Sequence, residues 1–225
     1  METAVAAALT TGYALVVAFT TMPVLSGLGV LLGTRRASRG MWLAVGYAAG
    51  LAIVFALVTF GAAQFTPIRR FRPGGLFYVI CGLMLIAIAL VWWLWDRGRA
   101  ARGRGSTSHS KFLDWVGTLG PLSCGMVGFQ FAFHPENLVL TIAASRQVAD
   151  LDPVQALVVL VWFCAVGVST VAIPSLMYAR SGERALARLE SVRDWLATNG
   201  TMITVVLLLG VGVLMLGVGL WMEFT

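Results

Sequence analysis

Long apolar runs alternate with short polar connections along the whole chain. The runs that contain no charged residue and reach bilayer-spanning length are residues 3–34, 40–68, 73–95, 115–133, 153–179 and 197–222. About 20 apolar residues cross the hydrocarbon layer as a helix, which pairs its own backbone N–H and C=O groups where no water is available. The pattern therefore predicts an all-α, polytopic membrane protein with about six transmembrane helices.

The composition agrees with this interpretation and argues against a substantial soluble domain. Hydrophobic residues make up 59% of the 225 positions and charged residues only 12%, whereas about a quarter of an ordinary soluble domain is charged. Strict alternation of apolar and polar residues is rare, so a β-barrel is not expected. The acidic start at Glu2 lacks the basic region of a cleaved signal peptide, so we expect the first run to be retained as a helix.

The positive charge lies in the connections between the runs. The net charge is +6, and twelve of the sixteen basic residues lie between runs one and two, three and four, or five and six. The positive-inside rule places these connections in the cytoplasm and both termini outside the plasma membrane. Arg69, Arg70, Arg72 and Arg146 lie on the opposite side. Because membrane orientation explains the basic residues, nucleic acid is not expected as a partner.

A basic linker divides the chain into two halves of three runs each. The halves are residues 1–95 and 115–225, and the linker, residues 96–114, is rich in Arg, Gly and Ser and is expected to be flexible. Three runs per half mean that any similarity between the halves implies an inverted repeat, as in many secondary transporters. Pro23 and Pro135 lie at similar depths, which favours a 3+3 inverted repeat with Pro-broken first and fourth helices. Unrelated halves are the alternative.

Two basic segments are candidates for contacts with lipid head groups or with a partner protein. The linker contributes Arg97, Arg99, Arg102 and Arg104. The second segment, residues 183–197, carries apolar residues at helical spacing, namely Leu186, Leu189, Val192 and Leu196. Its other face contains Arg184 and Arg188, which predicts an amphipathic helix in the cytoplasmic interface. A plain connecting helix is the alternative.

The fourth run contains the most informative polar residues. Pro135 lacks an N–H and clashes with the preceding turn, so the helix should break between Phe131 and Pro135 and leave carbonyl groups free. His134, Glu136 and Asn137 lie at this break, where a polar side chain is costly without a partner or a wet cavity. We predict a substrate or translocation cavity here, with Glu136 and His134 as candidates for proton coupling. Alternatively, Glu136 is satisfied at a re-entrant junction and His134 is a buried neutral imidazole.

Polar and Pro-containing surfaces of the first and fifth runs are expected to line the same cavity. The cavity candidates beyond the His134–Asn137 group are Thr20, Thr21, Pro23, Ser26, Gln130, Ser169, Thr170 and Pro174. Pro23 should break the first helix, and the Thr and Ser hydroxyls can bind carbonyls that a proline frees. Plain helix packing is the alternative. The small-xxx-small pair Gly46 and Gly50 is more typical of a packing seam than of a site.

No motif indicates enzymatic or metal chemistry. The three cysteines, Cys81, Cys124 and Cys164, lie inside predicted helices and lack metal-binding or redox spacing. The sequence contains no nucleophile elbow, zinc spacing or phosphate-binding loop. We therefore expect that the protein is not an enzyme and needs no metal or other cofactor.

Three stretches of the chain carry a resemblance to a known family. They are Met22-Pro23-Val24 through Arg35-Arg36 to Gly46 and Gly50, His134-Pro135-Glu136-Asn137 through Ala144, and Ile173-Pro174-Ser175 through Gly182 to Leu196. In their order and spacing they resemble the Sap/GAP family, the sulfolipid and glycopeptidolipid addressing proteins of mycobacteria, within the LysE-type exporter superfamily. The polar-Pro-x-Asn motif usual in the fourth helix of that family matches at Pro135 and Asn137.

The resemblance implies a function in lipid transport. It implies a six-helix plasma-membrane protein that helps to export glycolipids toward the cell surface, with a larger RND-type lipid exporter as partner. It also implies an actinobacterial source, with which fifteen arginines against one lysine agree. One alternative is a LysE-like exporter of a small cationic or amphipathic solute, with Glu136 as the counter-charge. Another is a non-transporting assembly subunit of a lipid-export complex. A homo-oligomer is compatible with each of these functions.

Overall fold

The structure is a computed structural model that describes residues 2–61, 75–101, 119–148 and 151–224. Within these ranges all regular structure is helical, which confirms the all-α fold. The helices are α1 (Glu2–Ala18), α2 (Thr21–Thr34), α3 (Ala37–Ala56), α4 (Gly75–Ala101), α5 (Pro121–Phe131), α6 (Pro135–Arg146), α7 (Pro153–Ser181) and α8 (Leu186–Phe224). A π-helical turn, Leu57–Gly61, extends α3, and a 3-10 turn, Gly182–Ala185, joins α7 to α8.

Three helical stretches are each long and apolar enough to cross a membrane. They are Ala37–Gly61, Gly75–Trp95 and Pro153–Trp221, the last of which contains α7 and most of α8. The bent pair α1–α2 qualifies as a fourth span, with 47° between its two parts. The chain is therefore a membrane protein. This count is lower than the six apolar runs for two reasons. α5 and α6, with 11 and 12 residues, are each too short to cross a bilayer, and α7 and α8 count together as one stretch.

The fourth apolar run is divided where the sequence predicts a break. α5 ends at Phe131 and α6 begins at Pro135, after His134 in an extended conformation with φ −61° and ψ 140°. A proline at the first position of a helix loses no hydrogen bond, because the first N–H groups have no intrahelical acceptor. Pro135 therefore begins a second helix instead of bending a continuous one.

The first apolar run is also divided, but Pro23 is not the cause. α1 ends at Ala18 and α2 begins at Thr21, with Thr20 extended between them at φ −61° and ψ 126°. Pro23 is the third residue of α2, where its missing N–H costs no intrahelical hydrogen bond. The prediction that Pro23 breaks this helix is therefore wrong, since the break precedes it.

α7 continues past Pro174 and ends where the chain reaches a glycine. Pro174 lies inside the helix, which runs to Ser181. Gly182 has φ 55° and ψ −136°, a conformation that glycine adopts without the steric cost of a Cβ. The chain then turns through Gly182–Ala185 into α8. The end of α7 is thus fixed by Gly182 and not by the internal proline.

The amphipathic segment, residues 183–197, is not a separate interfacial helix. It forms the 3-10 turn and the first turns of α8, which is continuous over 39 residues. Thr198 and Asn199 continue the helix by donating side-chain hydrogen bonds to the carbonyls of Asp194 and Trp195, at 2.9 and 3.0 Å. A helix of this length measures roughly 58 Å, about twice the thickness of the hydrocarbon layer. Part of α8 must therefore project beyond that layer.

α4 extends into the region predicted as a linker. Residues 96–101 form its last turns, and the Arg97 guanidinium lies over the Trp93 ring at 3.8 Å from the centroid. Arginine favours helix, and this i, i+4 contact supports the last turns. The linker therefore begins later than residue 96. The predicted basic residues that lie outside the described residues are Arg69, Arg70, Arg72, Arg102 and Arg104.

Glycine pairs set the closest helix contacts. α4 and α8 pack antiparallel, with Gly75 facing Gly219 and Gly82 facing Gly212. A Cβ on Gly82 would lie 2.7 Å from the Gly212 carbonyl oxygen, so only glycine permits this separation. Close backbone approach through small residues is the usual basis of helix association in membranes.

The same kind of contact joins α3 to α5, here in parallel orientation. Gly46 faces Gly125, and Gly50 faces Phe129 and Ala132 one turn further along both helices. The predicted packing seam at Gly46 and Gly50 is therefore observed. It holds α3 against the helix that leads into the break before Pro135.

α1 and α7 form the second parallel pair. Trp162 Nε1 donates to Thr11 Oγ1 at 2.9 Å, and two turns later the Thr170 hydroxyl donates to the Ala18 carbonyl. α7 therefore ends its contact with α1 at the break that precedes α2. Each of the two helix breaks thus has a long helix packed parallel to the piece that leads into it.

Candidate functional site

A buried carboxylate lies at the break between α5 and α6. The Glu136 side chain is 4% exposed, and it is the one buried acidic side chain among the described residues. Its Oε1 lies 3.4 Å from His134 Nδ1, and Oε2 has no hydrogen-bond partner within the described part of the chain. Glu136 lies in the first turn of α6, where unpaired N–H groups and the helix dipole stabilise negative charge. One oxygen therefore remains available to a ligand or a proton.

His134 forms the accessible edge of this pair. Its side chain is 35% exposed, in contrast to the enclosed carboxylate of Glu136, and its ring lies 6.2 Å from the ring of Phe131. Imidazole gains and loses a proton near neutral pH. The arrangement can therefore pass a proton between the protein surface and a buried carboxylate, and it can equally hold a cationic group of a ligand.

Asn137 joins the two sides of the same break. Its Nδ2 donates to the Phe131 carbonyl oxygen at 2.9 Å. The carbonyls of Gln130 and Phe129 accept hydrogen bonds from the backbone N–H groups of Phe133 and Ala132. The expectation of a free carbonyl at the break is therefore wrong for Phe131, whose oxygen accepts from the Asn137 amide and from the His134 N–H.

The break between α1 and α2 is satisfied by neighbouring helices. Thr20 Oγ1 donates to the Val17 carbonyl at 2.7 Å, and Thr170 of α7 donates to the Ala18 carbonyl. The Tyr47 hydroxyl of α3 lies 3.4 Å from the Val17 oxygen. Thr20 and Thr170 thus bind carbonyls at the end of α1, and not a carbonyl that Pro23 frees.

Tyr47 connects the two breaks and was not among the residues predicted from sequence. It is fully buried, and its hydroxyl has the side chains of Thr20 and Asn137 as polar neighbours, with Glu136 close by. A polar aromatic residue beside Gly46, in the middle of an uncharged run, was the signal that could have identified it. We call Thr20, Tyr47, His134, Glu136 and Asn137 the polar centre.

Other predicted hydroxyl residues bond away from the polar centre. Thr21 Oγ1 donates to the Gly200 carbonyl of α8 at 2.7 Å and lies 2.6 Å from Thr204 Oγ1. Ser169 donates to the Val166 carbonyl of its own helix at 2.7 Å. These two residues therefore contribute to helix packing and helix geometry in this structure.

A buried polar stripe follows Asn137 along α6. Asn137, Thr141 and Ser145, spaced at four-residue intervals, are fully enclosed. Asn137 Oδ1 and Thr141 Oγ1 have no hydrogen-bond partner within the described ranges, nor has Ser26 Oγ of α2. Buried polar atoms are normally satisfied by protein or water. The stripe continues the buried polar side chains from Glu136 along α6, and its helical spacing could have identified Thr141 from sequence.

Four predicted cavity residues add no buried polar side chain to the polar centre. Gln130 and Pro135 are exposed, whereas Pro23 is buried within α2. Pro174 is half-buried inside α7. Gln130 therefore does not share the enclosed position of Glu136, and the prolines shape the helices without contributing polar groups.

The predicted arginines do not form one group with the polar centre. Arg97 stacks on Trp93 at the end of α4, and Arg184 and Arg188 are exposed around the start of α8. Arg99 lies in the last turns of α4. The exposure of Arg97, Arg184 and Arg188 at helix ends is what head-group or partner contacts require. No group of three or more His, Cys, Asp and Glu residues that could hold a metal is found among the described residues.

Comparison with curated proteins and with solved structures gave no significant match. The family model described as Sap, sulfolipid-1-addressing protein, matches residues 10–221. This match covers every helix that contributes to the polar centre, and it agrees with the resemblance carried by the motifs around Pro23, Pro135 and Pro174. The chain therefore belongs to the Sap, or sulfolipid-1-addressing protein, family.

Proposed function

We propose that this protein takes part in the export of a glycolipid across the plasma membrane toward the cell surface. The observation that carries the proposal is the polar centre, in which one buried carboxylate, Glu136, lies at a helix break inside an apolar bundle. In such a bundle a lipid can place its head group in the polar centre while its acyl chains stay in the bilayer. The sulfolipid named in the family description supports a lipid cargo.

We further propose that the two halves of the chain form an inverted repeat around the polar centre. Support comes from the parallel packing of α3 with α5 and of α7 with α1, together with the antiparallel pair α4 and α8. Exchanging the halves exchanges the first two pairs and leaves the third unchanged. Alternating exposure of a central site is the transport mode that such repeats permit.

Proton movement through His134 and Glu136 is the proposed source of coupling within this chain. A larger RND-type lipid exporter is the proposed partner, and the exposed Arg184 and Arg188 are available for contact with it or with lipid head groups. No bond of the cargo needs to be broken, so the protein acts as a transport protein and not as an enzyme. In the proposed orientation both termini face outward, and self-association is compatible with this function.

A gene-deletion strain tests the proposal through its surface glycolipids. Deletion should retain glycolipid inside the cell, and wild-type protein should restore its surface exposure. Glu136→Gln should fail to restore it, because the amide cannot carry a proton, whereas the exposed Glu190→Gln on α8 serves as the matched control and should restore it. Normal surface glycolipids in the deletion strain would overturn the proposal. Full export with Glu136→Gln would remove the proton role alone.

A LysE-like exporter of a small cationic solute is the second candidate. The unpaired Oε2 of Glu136 favours it, because a single buried carboxylate is a suitable counter-charge for one cation. The same deletion strain discriminates the two functions. Reduced efflux of basic amino acids with unchanged surface glycolipids would establish this candidate in place of the first. A non-transporting assembly subunit would instead tolerate Glu136→Gln and lose complex formation when Arg184 and Arg188 are replaced.

A further inference from the structure

Basic residues from both halves of the chain meet at one end of the helix bundle. The connection between α2 and α3 contributes Arg35, Arg36 and Arg39, and the region between α7 and α8 contributes Arg180, Arg184 and Arg188. All except the half-buried Arg39 are exposed. We call these six residues the composite arginine surface. The positive-inside rule assigns this end to the cytoplasmic leaflet.

Direct contacts hold the two connections together. The Tyr178 hydroxyl donates to the Arg35 carbonyl at 3.0 Å, and Arg35 Nη1 lies 3.7 Å from Glu183 Oε1. Gly40, in the first turns of α3, packs directly against the Ser175 side chain of α7. The surface is therefore a fixed feature of the fold and not a chance approach of two loops.

An apolar base supports the composite arginine surface. Leu28 and Leu31 of α2 form a buried cluster with Ala185 and Leu189 from the start of α8. Arg35 itself adopts a left-handed conformation with φ 49°, and its N–H donates to the Leu31 carbonyl to end α2. The position of Arg35 is thus determined by the helix end and by the cluster beneath it.

The Glu183 carboxylate lies 3.7 Å from Arg35 of this surface and opposes its charge. Its side chain is 81% exposed and that of Arg35 is 67% exposed. An exposed ion pair at this separation contributes little to stability, because water solvates both groups. Glu183 therefore holds Arg35 weakly, and an anion from outside can replace it.

Exposed apolar residues of α7 lie just before Arg180 in the chain, on the side of this surface that faces the bilayer centre. Ile173, Leu176 and Met177 are 50%, 47% and 40% exposed. At 3.6 residues per turn, Arg180 lies about one turn after Leu176 and Met177 and about two turns after Ile173, on the same face of α7. A molecule bound by the arginines can therefore lay an acyl chain along this face of α7. The combination of basic head-group contacts and an apolar track fits a lipid and not a soluble anion.

We infer that the composite arginine surface binds the anionic head group of a membrane lipid, a sulfate or phosphate ester, and that Glu183 weakens this binding by competing for Arg35. Guanidinium groups bind such oxyanions through paired hydrogen bonds. That this lipid is the cargo rests on the proposed function. In that case the lipid would bind the composite arginine surface before it enters the polar centre.

Binding of a fluorescent sulfated glycosphingolipid to the full-length protein in detergent micelles tests the inference. The matched probes are the same glycolipid without sulfate, a phosphatidic acid with the same fluorophore, and inorganic sulfate as competitor. Each basic side chain near an anionic lipid contributes about fivefold to affinity. The double variant Arg184→Gln/Arg188→Gln should therefore bind the sulfated probe about 25-fold more weakly, and inorganic sulfate should compete poorly.

Two single variants make the test specific. Glu183→Gln should tighten binding severalfold, because Arg35 loses its internal competitor. Arg193→Gln is the matched control on α8 and should leave binding unchanged, since Arg193 is already paired with Asp194 at 2.7 Å. Size-exclusion profiles identify any variant that fails to fold.

The outcomes separate this inference from the proposed function. Equal binding of the sulfated and uncharged probes, or weaker binding by Glu183→Gln, would overturn the inference while the deletion-strain experiment still decides whether glycolipid is exported. Normal surface glycolipids in the deletion strain would overturn the proposed function, whereas selective binding of the anionic probes would remain as a property of the surface.

Discussion

Tyr47 is the residue through which the two helix breaks share one polar environment. Its ring packs within the apolar core, its hydroxyl lies 3.4 Å from the Val17 carbonyl at the first break, and Thr20 and Asn137 are polar neighbours of that hydroxyl. A buried hydroxyl can orient its neighbours because an unsatisfied polar atom is costly there. We therefore expect the proposed function of the polar centre to depend on one phenol oxygen that comes from outside both breaks.

Tyr47→Phe isolates that oxygen, because the substitution keeps the ring and removes only the hydroxyl. We expect surface glycolipid export to fall about tenfold. A tenfold change corresponds to about 1.4 kcal/mol, which is the order of energy that one buried hydrogen bond contributes. Export in a complemented deletion strain is the measurement. The melting temperature of the purified variant should fall by only about 2–4 °C per kcal/mol of lost stability. A large loss of stability with export per folded molecule unchanged would mean that Tyr47 is a packing residue alone.

Asn137 has a structural role that differs from that of Tyr47. Its amide satisfies the Phe131 carbonyl across the break, so Asn137→Ala leaves a buried acceptor unpaired at a cost of about 1–3 kcal/mol. We expect a lower melting temperature in detergent. The matched control is Gln130→Ala in the last turn of α5, on the other side of the break. The Gln130 side chain is exposed, so this variant should change stability by less than about 0.5 kcal/mol. Equal effects of the two variants would contradict the bridging role.

At the scale of elements, the features that depend on proline and hydropathy could be predicted from the sequence. The features that depend on contacts with other helices could not. The break before Pro135 follows from the missing N–H of proline, so it was predictable. At the earlier break, next to Thr20, the hydroxyls of Tyr47 and Thr170 from two other helices donate hydrogen bonds to the last carbonyls of α1. Contacts between helices far apart in sequence are invisible to periodicity, and this is why Tyr47 was missed and Gln130 was included.

The length of α8 has the same explanation. Its first turns have the amphipathic pattern of a surface helix, yet Ala185 and Leu189 pack on α2, and the chain continues without interruption into the last apolar run. Composition correctly indicated one polar and one apolar part. It did not indicate whether the two parts form one helix, because that depends on the support that α2 provides at the helix start.

Gly82→Val tests the contact between α4 and α8. A side chain at Gly82 would meet the backbone of Gly212 and Leu216 at 2.7 and 2.9 Å, so the helices must separate. Because overpacking typically costs about 1–3 kcal/mol, we expect a clearly reduced melting temperature and yield. Gly210→Val is the matched control on α8, where nothing lies within 4 Å of an added Cβ. Unchanged stability of Gly82→Val would show that this helix pair is not close-packed in the membrane.

For the whole molecule, the packing directions and the charge distribution lead to one topology. The composite arginine surface joins residues from the α2–α3 and α7–α8 connections, so both connections must lie on the same side of the membrane. The α6–α7 connection, by contrast, lies one full pass of α7 away. In the proposed function, the basic helix ends and the central carboxylate lie along one path from the cytoplasmic interface to the polar centre.

Single cysteines at Ser38, Ser181 and Asp152 test this topology in a background with Cys81, Cys124 and Cys164 replaced by alanine. A membrane-impermeant maleimide added to intact cells should label Asp152→Cys and spare the other two, because positive connections remain in the cytoplasm. Ser38→Cys and Ser181→Cys should react only after the cells are opened. Ser38 and Ser181 are exposed, so lack of labelling from outside reports the side of the membrane and not burial. Labelling of Ser38→Cys and Ser181→Cys from opposite sides would separate the two connections and would contradict both the topology and the composite arginine surface.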